Sequence, residues 1–280
     1  MKDKEEFKDL KKRITSMTID GHSHVTLPVR EHIEAMDAAG IDKTVLFSTT
    51  FHPEKSANFA EVKTSMGFLS DLLAGKKGSM VEARQKSVSE LVGAIAQYPD
   101  RYIGFGAVPV GLDLDGTLQY VNDVICQNHL AGMGEFTFGS GQVHLLKNIF
   151  CASQEFNHLP IWVHAFSPLT FQDIKDIAKL AKSYPETPVI LGHLGGTNWL
   201  ETIALVKEIP NLYLDTSAFF STFVLGAVIN EVPKKCLFGV DRPFGDLQLC
   251  KDAVLRYAKT LDVSNAVLGG NITKLLRIAG

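Results

Sequence analysis

Eight short apolar runs, separated in most cases by amphipathic helical runs, constrain this sequence more than any other feature. They read MTIDGHSHV, KTVLFSTT, RYIGFGAVPV, LAGMGEF, LPIWVHA, TPVILGH, NLYLDTS and KCLFGVD. They are apolar nearly throughout rather than alternating, as strands are when other elements cover both faces. The connections carry the other period. REHIEAMDAAG reads as a helix stopped by glycine. Phe171, Ile174, Ile177, Ala178, Ala181 and Tyr184 recur at three and four residues, a single apolar stripe. Asn198 followed by Glu201 predicts a capped helix start. Strands alternating with helices leave two architectures, a (β/α)8 barrel and a doubly wound sheet.

The 280 residues are read as one domain, residues 1–280, because α/β barrels run to this length and no linker or repeat interrupts the pattern. Residues 1–16 mix acids with bases and place Phe7, Leu10 and Ile14 at helical spacing, so a short N-terminal helix is expected and a signal peptide is not. Residues 51–82 are expected to form a long loop insertion after the second strand, a lid in the sense that such insertions often are. The net charge of -3 without single-sign blocks predicts neither nucleic-acid binding nor an anionic membrane surface. AFFSTFVLGAVI is too short to span a bilayer, which needs about 20 residues. Cys126, Cys151, Cys236 and Cys250 are far apart, without a CxxC pair, and read as reduced thiols of a cytoplasmic protein.

The chemistry begins at IDGHSHV. Residues i and i+2 of a strand share a face, so His22 and His24 point together and two imidazoles can hold one metal ion. Alone, such a pair is weak. Position strengthens it, because ligand-type residues end other apolar runs: Glu135 ends AGMGE, His164 ends PIWVH, His193 ends PVILGH and Asp241 ends CLFGVD. In a (β/α)8 barrel the C-terminal strand ends form the active site. Four histidines, a glutamate and an aspartate converging there make one or two sites for a divalent metal. Glu135 is open between a ligand, a residue supporting the ligands and a barrel-core acid. Asp20 lies deeper and is given a structural role. His32, His129, His144 and His158 are read as solvated or structural. His52, in TTFHPE, is read as a substrate-pocket residue or a loop histidine. Phe51, Phe138, Phe166 and Phe220 near the strand ends suggest a partly apolar pocket for a small-molecule substrate.

Taken in order, DGHSH, YPDRYIGFGAVP, LPIWVHAF, PVILGHLGG, NLYLDTSAF, CLFGVDRPFG and AVLGGNITKLL resemble the amidohydrolase superfamily over nearly the whole chain, and within it amidohydrolase family 2, which includes decarboxylases similar to aminocarboxymuconate-semialdehyde decarboxylase. The resemblance implies a (β/α)8 barrel. It implies that His22, His24, His164 and Asp241 bind a divalent metal, usually Zn2+. It also implies that His193 contacts the attacking water or substrate, or binds a second metal, and that Asp241 takes a proton from that water. Asp241 and His193 are thus the expected catalytic pair. A fourth-strand glutamate is similar to the bridging residue of TatD-type deoxyribonucleases, which would make Glu135 a ligand to two ions.

Three functions follow. The first is hydrolysis of an amide, lactone or other ester by a metal-activated water. The second is decarboxylation of a small carboxylic acid, which needs a cation for the substrate; Arg242, beside Asp241, and Lys76 or Lys77 in the insertion are the expected cations. The third is a barrel that binds metal or ligand without turnover. A homodimer is compatible with all three.

Overall fold

The computed structural model describes residue 14 and residues 16–74, 76 and 81–278. The helix expected over 1–16 falls almost entirely outside the described residues, and so does Lys77. All eight apolar runs form strands: β1 Ile19–His24, β2 Lys43–Phe47, β3 Tyr102–Gly106, β4 Gly132–Phe136, β5 Ile161–Val163, β6 Val189–Leu191, β7 Leu212–Asp215 and β8 Cys236–Leu237. They pair in parallel and in sequence order. The ends meet where Gly21 N–H donates to Phe238 O at 2.6 Å and His24 N–H to Arg242 O at 2.9 Å. The architecture is the (β/α)8 barrel, not the doubly wound sheet.

The helices are α1 Val29–Ala39, α2 Phe59–Leu73, α3 Val81–Gln97, α4 Leu114–Tyr120, α5 Lys147–Glu155, α6 Phe171–Ser183, α7 Trp199–Glu208, α8 Thr222–Glu231, α9 Leu247–Tyr257, α10 Leu261–Asn265 and α11 Asn271–Leu275. Helix α1 ends where expected, at Gly40 with φ 62°, a left-handed conformation that glycine adopts without cost. The stripe of α6 is buried at Ile174, Ile177, Ala178 and Ala181. Its start is set by Thr170 and Asp173, which cap each other's backbone N–H. The Asn198 cap is not made: its side chain donates instead to Leu169 O at 3.3 Å. Among the described residues, no helix is long and apolar enough to cross a membrane.

The long loop expected over 51–82 is corrected by the structure. It contains a 3-10 turn at Pro53–Lys55 and the four-turn helix α2, and α3 begins at Val81. Asn58 starts α2 by accepting from Glu61 N–H. The sequence signal for α2 is a weak period, because one face meets the cavity and the other meets solvent at Phe59.

Two apolar layers hold the fold. The larger lies between strands and helices. The smaller fills the barrel: Ile19, Val45, Phe47, Phe105, Trp162, Ile190, Leu237 and Ile272. Phe47, Phe105 and Trp162 meet at ring distances of 5.3–5.6 Å. This aromatic plug ends directly beneath His22, whose ring lies 4.7 Å from Phe47. Polar side chains above the plug therefore sit in a low-dielectric floor.

Candidate active site

The expected residues do converge. Both β1 imidazoles point to one side, with ring centroids 5.5 Å apart. Glu135 stands at the centre and is buried. Its Oε2 lies 3.6 Å from His22 Nε2 and 3.7 Å from His24 Nε2. Its Oε1 lies 3.0 Å from His193 Nε2 and 3.3 Å from His164 Nδ1. Asp241 Oδ1 closes the first group, 3.3 Å from His24 Nε2 and 3.9 Å from His22 Nε2. Two nests of donor atoms thus share one carboxylate. Local backbone places them: Asp241 and His193 both hold left-handed φ, 67° and 59°, which turns each side chain inward after its strand. Gly239 leaves room for this, because a Cβ there would sit 2.9 Å from His22 Cβ.

Asp215, at the end of β7, was not among the sequence candidates. Its Oδ2 accepts from His22 Nδ1 at 2.9 Å and from Trp162 Nε1 at 2.6 Å. Its Oδ1 accepts from the backbone N–H of His193 and Ser217, and from the Ser217 hydroxyl. Both oxygens are therefore engaged, and the role this leaves Asp215 is to orient its neighbours. The signal was present: NLYLD is another apolar strand ending in an acid.

The hydrogen-bond network assigns the tautomers. His22 Nδ1–H is given to Asp215, so Nε2 presents a lone pair to the cluster. Ser217 donates to Asp215 and accepts from His193 Nδ1 at 2.9 Å, so His193 Nε2 does the same. His164 Nε2–H is given to Ser167 O at 3.2 Å, which frees Nδ1. His193 Nε2 and His164 Nδ1 then face each other 2.9 Å apart. Two lone pairs at that distance repel unless a proton or a metal lies between them. His22 Nε2 is buried without a hydrogen-bond partner. Imidazoles whose outer nitrogens are held by acceptors are the arrangement a metal requires.

The charge balance agrees. Burial raises a carboxyl, yet Glu135 is held well below the usual range by His22, His164 and His193. Asp215 is drawn down to about 2 against burial, by His22 first and His193 next. Burial opposes the charge on His22 as well, but Asp215 and Glu135 carry it well above the ordinary histidine value. Three buried carboxylates thus demand positive charge, from protonated imidazoles or from a divalent cation. The nitrogen and oxygen donors present fit a divalent metal. Asp20 takes the structural role expected: it is fully buried, accepts from Ser23, His22 N–H and Val240 N–H, and ties β1 to the segment after β8. Burial pushes its carboxyl up to about 7.

A cavity of about 280 Å3 stands on this cluster. His24, Glu135, His164, His193 and Asp241 line its floor, and Phe51, Met66, Leu69, Leu72, Phe166 and Phe244 its walls. Of the four suggested phenylalanines, Phe51 and Phe166 line the cavity. Phe138 is packed into the core, and Phe220 is half exposed beside Phe166. The two expected substrate contacts are not brought in. His52 points away, its nitrogens 2.9 Å from Glu54 Oε1 and 2.7 Å from Glu90 Oε1. Arg242 lines a separate hollow with Glu31, Glu54 and Asp246, because neighbouring residues after β8 face opposite ways. Lys76 ion-pairs with Asp71 at 3.2 Å. Arg84, Thr50 and Thr137 line the cavity instead, and none was a sequence candidate.

Fold and site together define a class: a parallel (β/α)8 barrel with an imidazole–carboxylate cluster at the C-terminal mouth. The amidohydrolase family model matches residues 19–278, and the chain belongs to that family. Among solved structures, 2,6-dihydroxybenzoate decarboxylase from Rhizobium superposes with a TM-score of 0.64 at 16% identity, over 95% of this chain and 100% of that one. A 5-carboxyvanillate decarboxylase from Sphingomonas paucimobilis gives 0.66 at 15%, over 95% and 100%. A dihydroxybenzoic acid decarboxylase from a Polaromonas species, with bound manganese and the inhibitor 2-nitroresorcinol, gives 0.67 at 15%, over 94% and 98%. At these identities the likeness establishes a shared fold. No curated protein sequence matches the chain.

Proposed function

We propose that the protein is a metal-dependent decarboxylase of a small aromatic carboxylic acid. The observation that carries the reading is the apolar cavity standing directly on the imidazole–carboxylate cluster. Loss of CO2 turns a charged group into a neutral gas, so a water-poor apolar enclosure disfavours the reactant more than the product. Solved barrels of the same fold support it, since those described above are decarboxylases of aromatic acids. They favour this alternative over the hydrolysis that the sequence reading ranked first.

His22, His24, His164, His193, Glu135 and Asp241 are the proposed metal ligands. Zn2+ and Mn2+ both suit their nitrogen and oxygen atoms, and a related structure holds manganese. When bound, the ion supplies a Lewis acid that fixes a substrate oxygen. In the reaction the carbon–carboxyl bond breaks and its electron pair stays on the ring carbon. A proton joins that carbon, so carboxylate plus proton gives CO2 and the ring compound with hydrogen at the vacated carbon. Asp241 is the proposed proton carrier, since it lies at the cavity floor beside His24 and His193. His193, fixed by Ser217, orients the reacting group. The apolar walls hold the ring and exclude water. The free thiols of Cys126, Cys151, Cys236 and Cys250 suit a cytoplasmic setting, which belongs to the same proposal.

Hydrolysis is the second reading, favoured by the carboxylate of Asp241 at the cavity floor beside His24, which could serve as base for a metal-activated water. One experiment separates the two. Metal-loaded protein is incubated in D2O with 2,6-dihydroxybenzoate and 5-carboxyvanillate, and in 18O-water with a lactone and ester panel. We expect CO2 release with deuterium on the vacated carbon, abolished by chelator. Incorporation of 18O without CO2 from either acid would overturn the decarboxylase reading.

A further inference from the structure

Arg84 lies in the first turns of α3 and reaches the cavity from the side opposite the strand-end ligands of β6 to β8, since α3 packs on β3. The residue is half-buried, and burial draws its guanidinium below the usual arginine range. Among the described residues no side chain ion-pairs or hydrogen-bonds with its guanidinium; the nearby charged group is Glu135, which the metal cluster already uses. Two further groups on that side are idle. The hydroxyls of Thr50, after β2, and Thr137, after β4, are buried without hydrogen-bond partners, and both residues line the cavity. A half-buried guanidinium without an acceptor is under-used as a donor, and buried hydroxyls without partners are unfavourable. A fork of donors and two hydroxyls lining one cavity match a planar carboxylate.

We infer that Arg84, with Thr50 and Thr137, binds an anionic group that the substrate keeps through the reaction, so the substrate is a small aromatic acid with two anionic groups, one at the metal cluster and one at Arg84. The inference rests on the decarboxylase reading for its choice of group. The metal cluster takes the group that leaves as CO2, and Arg84 is the second cation, across the cavity from it. The same cation on a carboxylate that stays behind stabilises reactant and product alike, fixes the ring against the cluster and selects the substrate. Arg84 is thus a specificity residue supplied by the segment between β2 and β3.

The test uses binding, so it is independent of turnover. Metal-loaded wild type, Arg84→Met and Arg84→Lys are titrated calorimetrically with benzoate, isophthalate and terephthalate. The last two place a second carboxylate at two spacings on the same ring. We expect wild type to bind at least one dicarboxylate about tenfold or more tighter than benzoate, as one charge-assisted pair gives. Arg84→Met should bring that ratio near one while leaving benzoate within about twofold, and Arg84→Lys should recover part of it. Equal binding of all three acids by wild type, no binding of any, or a preference that survives in Arg84→Met overturns the inference. Circular dichroism checks the fold; if Arg84→Met is misfolded, the wild-type ratio and Arg84→Lys decide. Carbon dioxide release is measured separately. An Arg84-dependent preference without CO2 removes the decarboxylase reading and keeps the anion site. CO2 without the preference does the reverse.

Discussion

Asp215 shows how much of this site depends on a residue that does not line the cavity. It receives His22 Nδ1–H and Trp162 Nε1–H on one oxygen, and its other oxygen holds the loop that carries His193 and Ser217. Two imidazoles are therefore aimed by one carboxylate. Asp215→Asn preserves shape but replaces an acceptor oxygen by an NH2 group, which meets donors in either orientation: His22 and Trp162 on one side, the backbone N–H groups of His193 and Ser217 on the other. Either way one of the two imidazoles loses the acceptor that holds it. We expect metal affinity to fall by roughly 10- to 100-fold, the usual effect of removing such a partner. Titration with Mn2+ and Zn2+ against a chelating indicator measures it. Affinity unchanged from wild type would show that the aromatic plug alone orients His22. At this scale the sequence was legible wherever a lone polar residue ended an apolar strand, as at His164, His193 and Asp241. Arg84, Thr50 and Thr137 were not legible, because an arginine on an amphipathic helix looks like any solvated residue. Only its position over the cavity gives it a role.

At the scale of elements, the segment between β2 and β3 differs most from its expectation. It forms the helix α2 and the start of α3, and Met66, Leu69 and Leu72 of α2 wall the cavity. His52 ties the turn before α2 to Glu90 on α3 and to Glu54, whose Oε1 also accepts from Leu27 N–H at 3.3 Å. This clamp has a pH signature. Hydrogen bonding to Glu54 and attraction to Glu90 outweigh partial burial and raise His52 above its ordinary 6.5. The folded state therefore binds that proton more tightly than the unfolded chain. The stabilisation is fully present below pH 6.5 and is lost as pH rises through the raised value. Glu54 is lowered, burial opposing and His52 prevailing, so its share is present above its ordinary 4.5 and lost only in acid. In melting curves, wild type should exceed His52→Gln most near about pH 6, and the gap should close toward about pH 9. A gap independent of pH would mean that His52 acts by packing alone.

For the whole molecule the question is whether metal or packing holds the barrel together. The plug of Phe47, Phe105 and Trp162 and the larger layer outside the strands are both buried without help from the site. A chain of this length buries enough apolar surface to fold without a metal staple. We therefore expect chelator to leave far-UV circular dichroism at 25 °C unchanged. Metal at about 100 times its dissociation constant adds about 2.7 kcal/mol, so melting should rise by roughly 5 to 10 °C on adding it back. Unfolding on chelation at 25 °C would make the ion structural. The strand count, the parallel order and the six converging ligand-type residues were set by the sequence itself, because strands covered on both faces must be apolar throughout and a polar residue at their end stands out against that background. Tertiary structure alone decided the rest. It gave Asp215 to His22, turned Arg242 and His52 away from the cavity, folded the segment after β2 into a wall and left Arg84 without an ion-pair partner among the described residues. Each of these depends on which groups meet across the barrel mouth, and residues far apart in the chain leave no local period from which that meeting can be read.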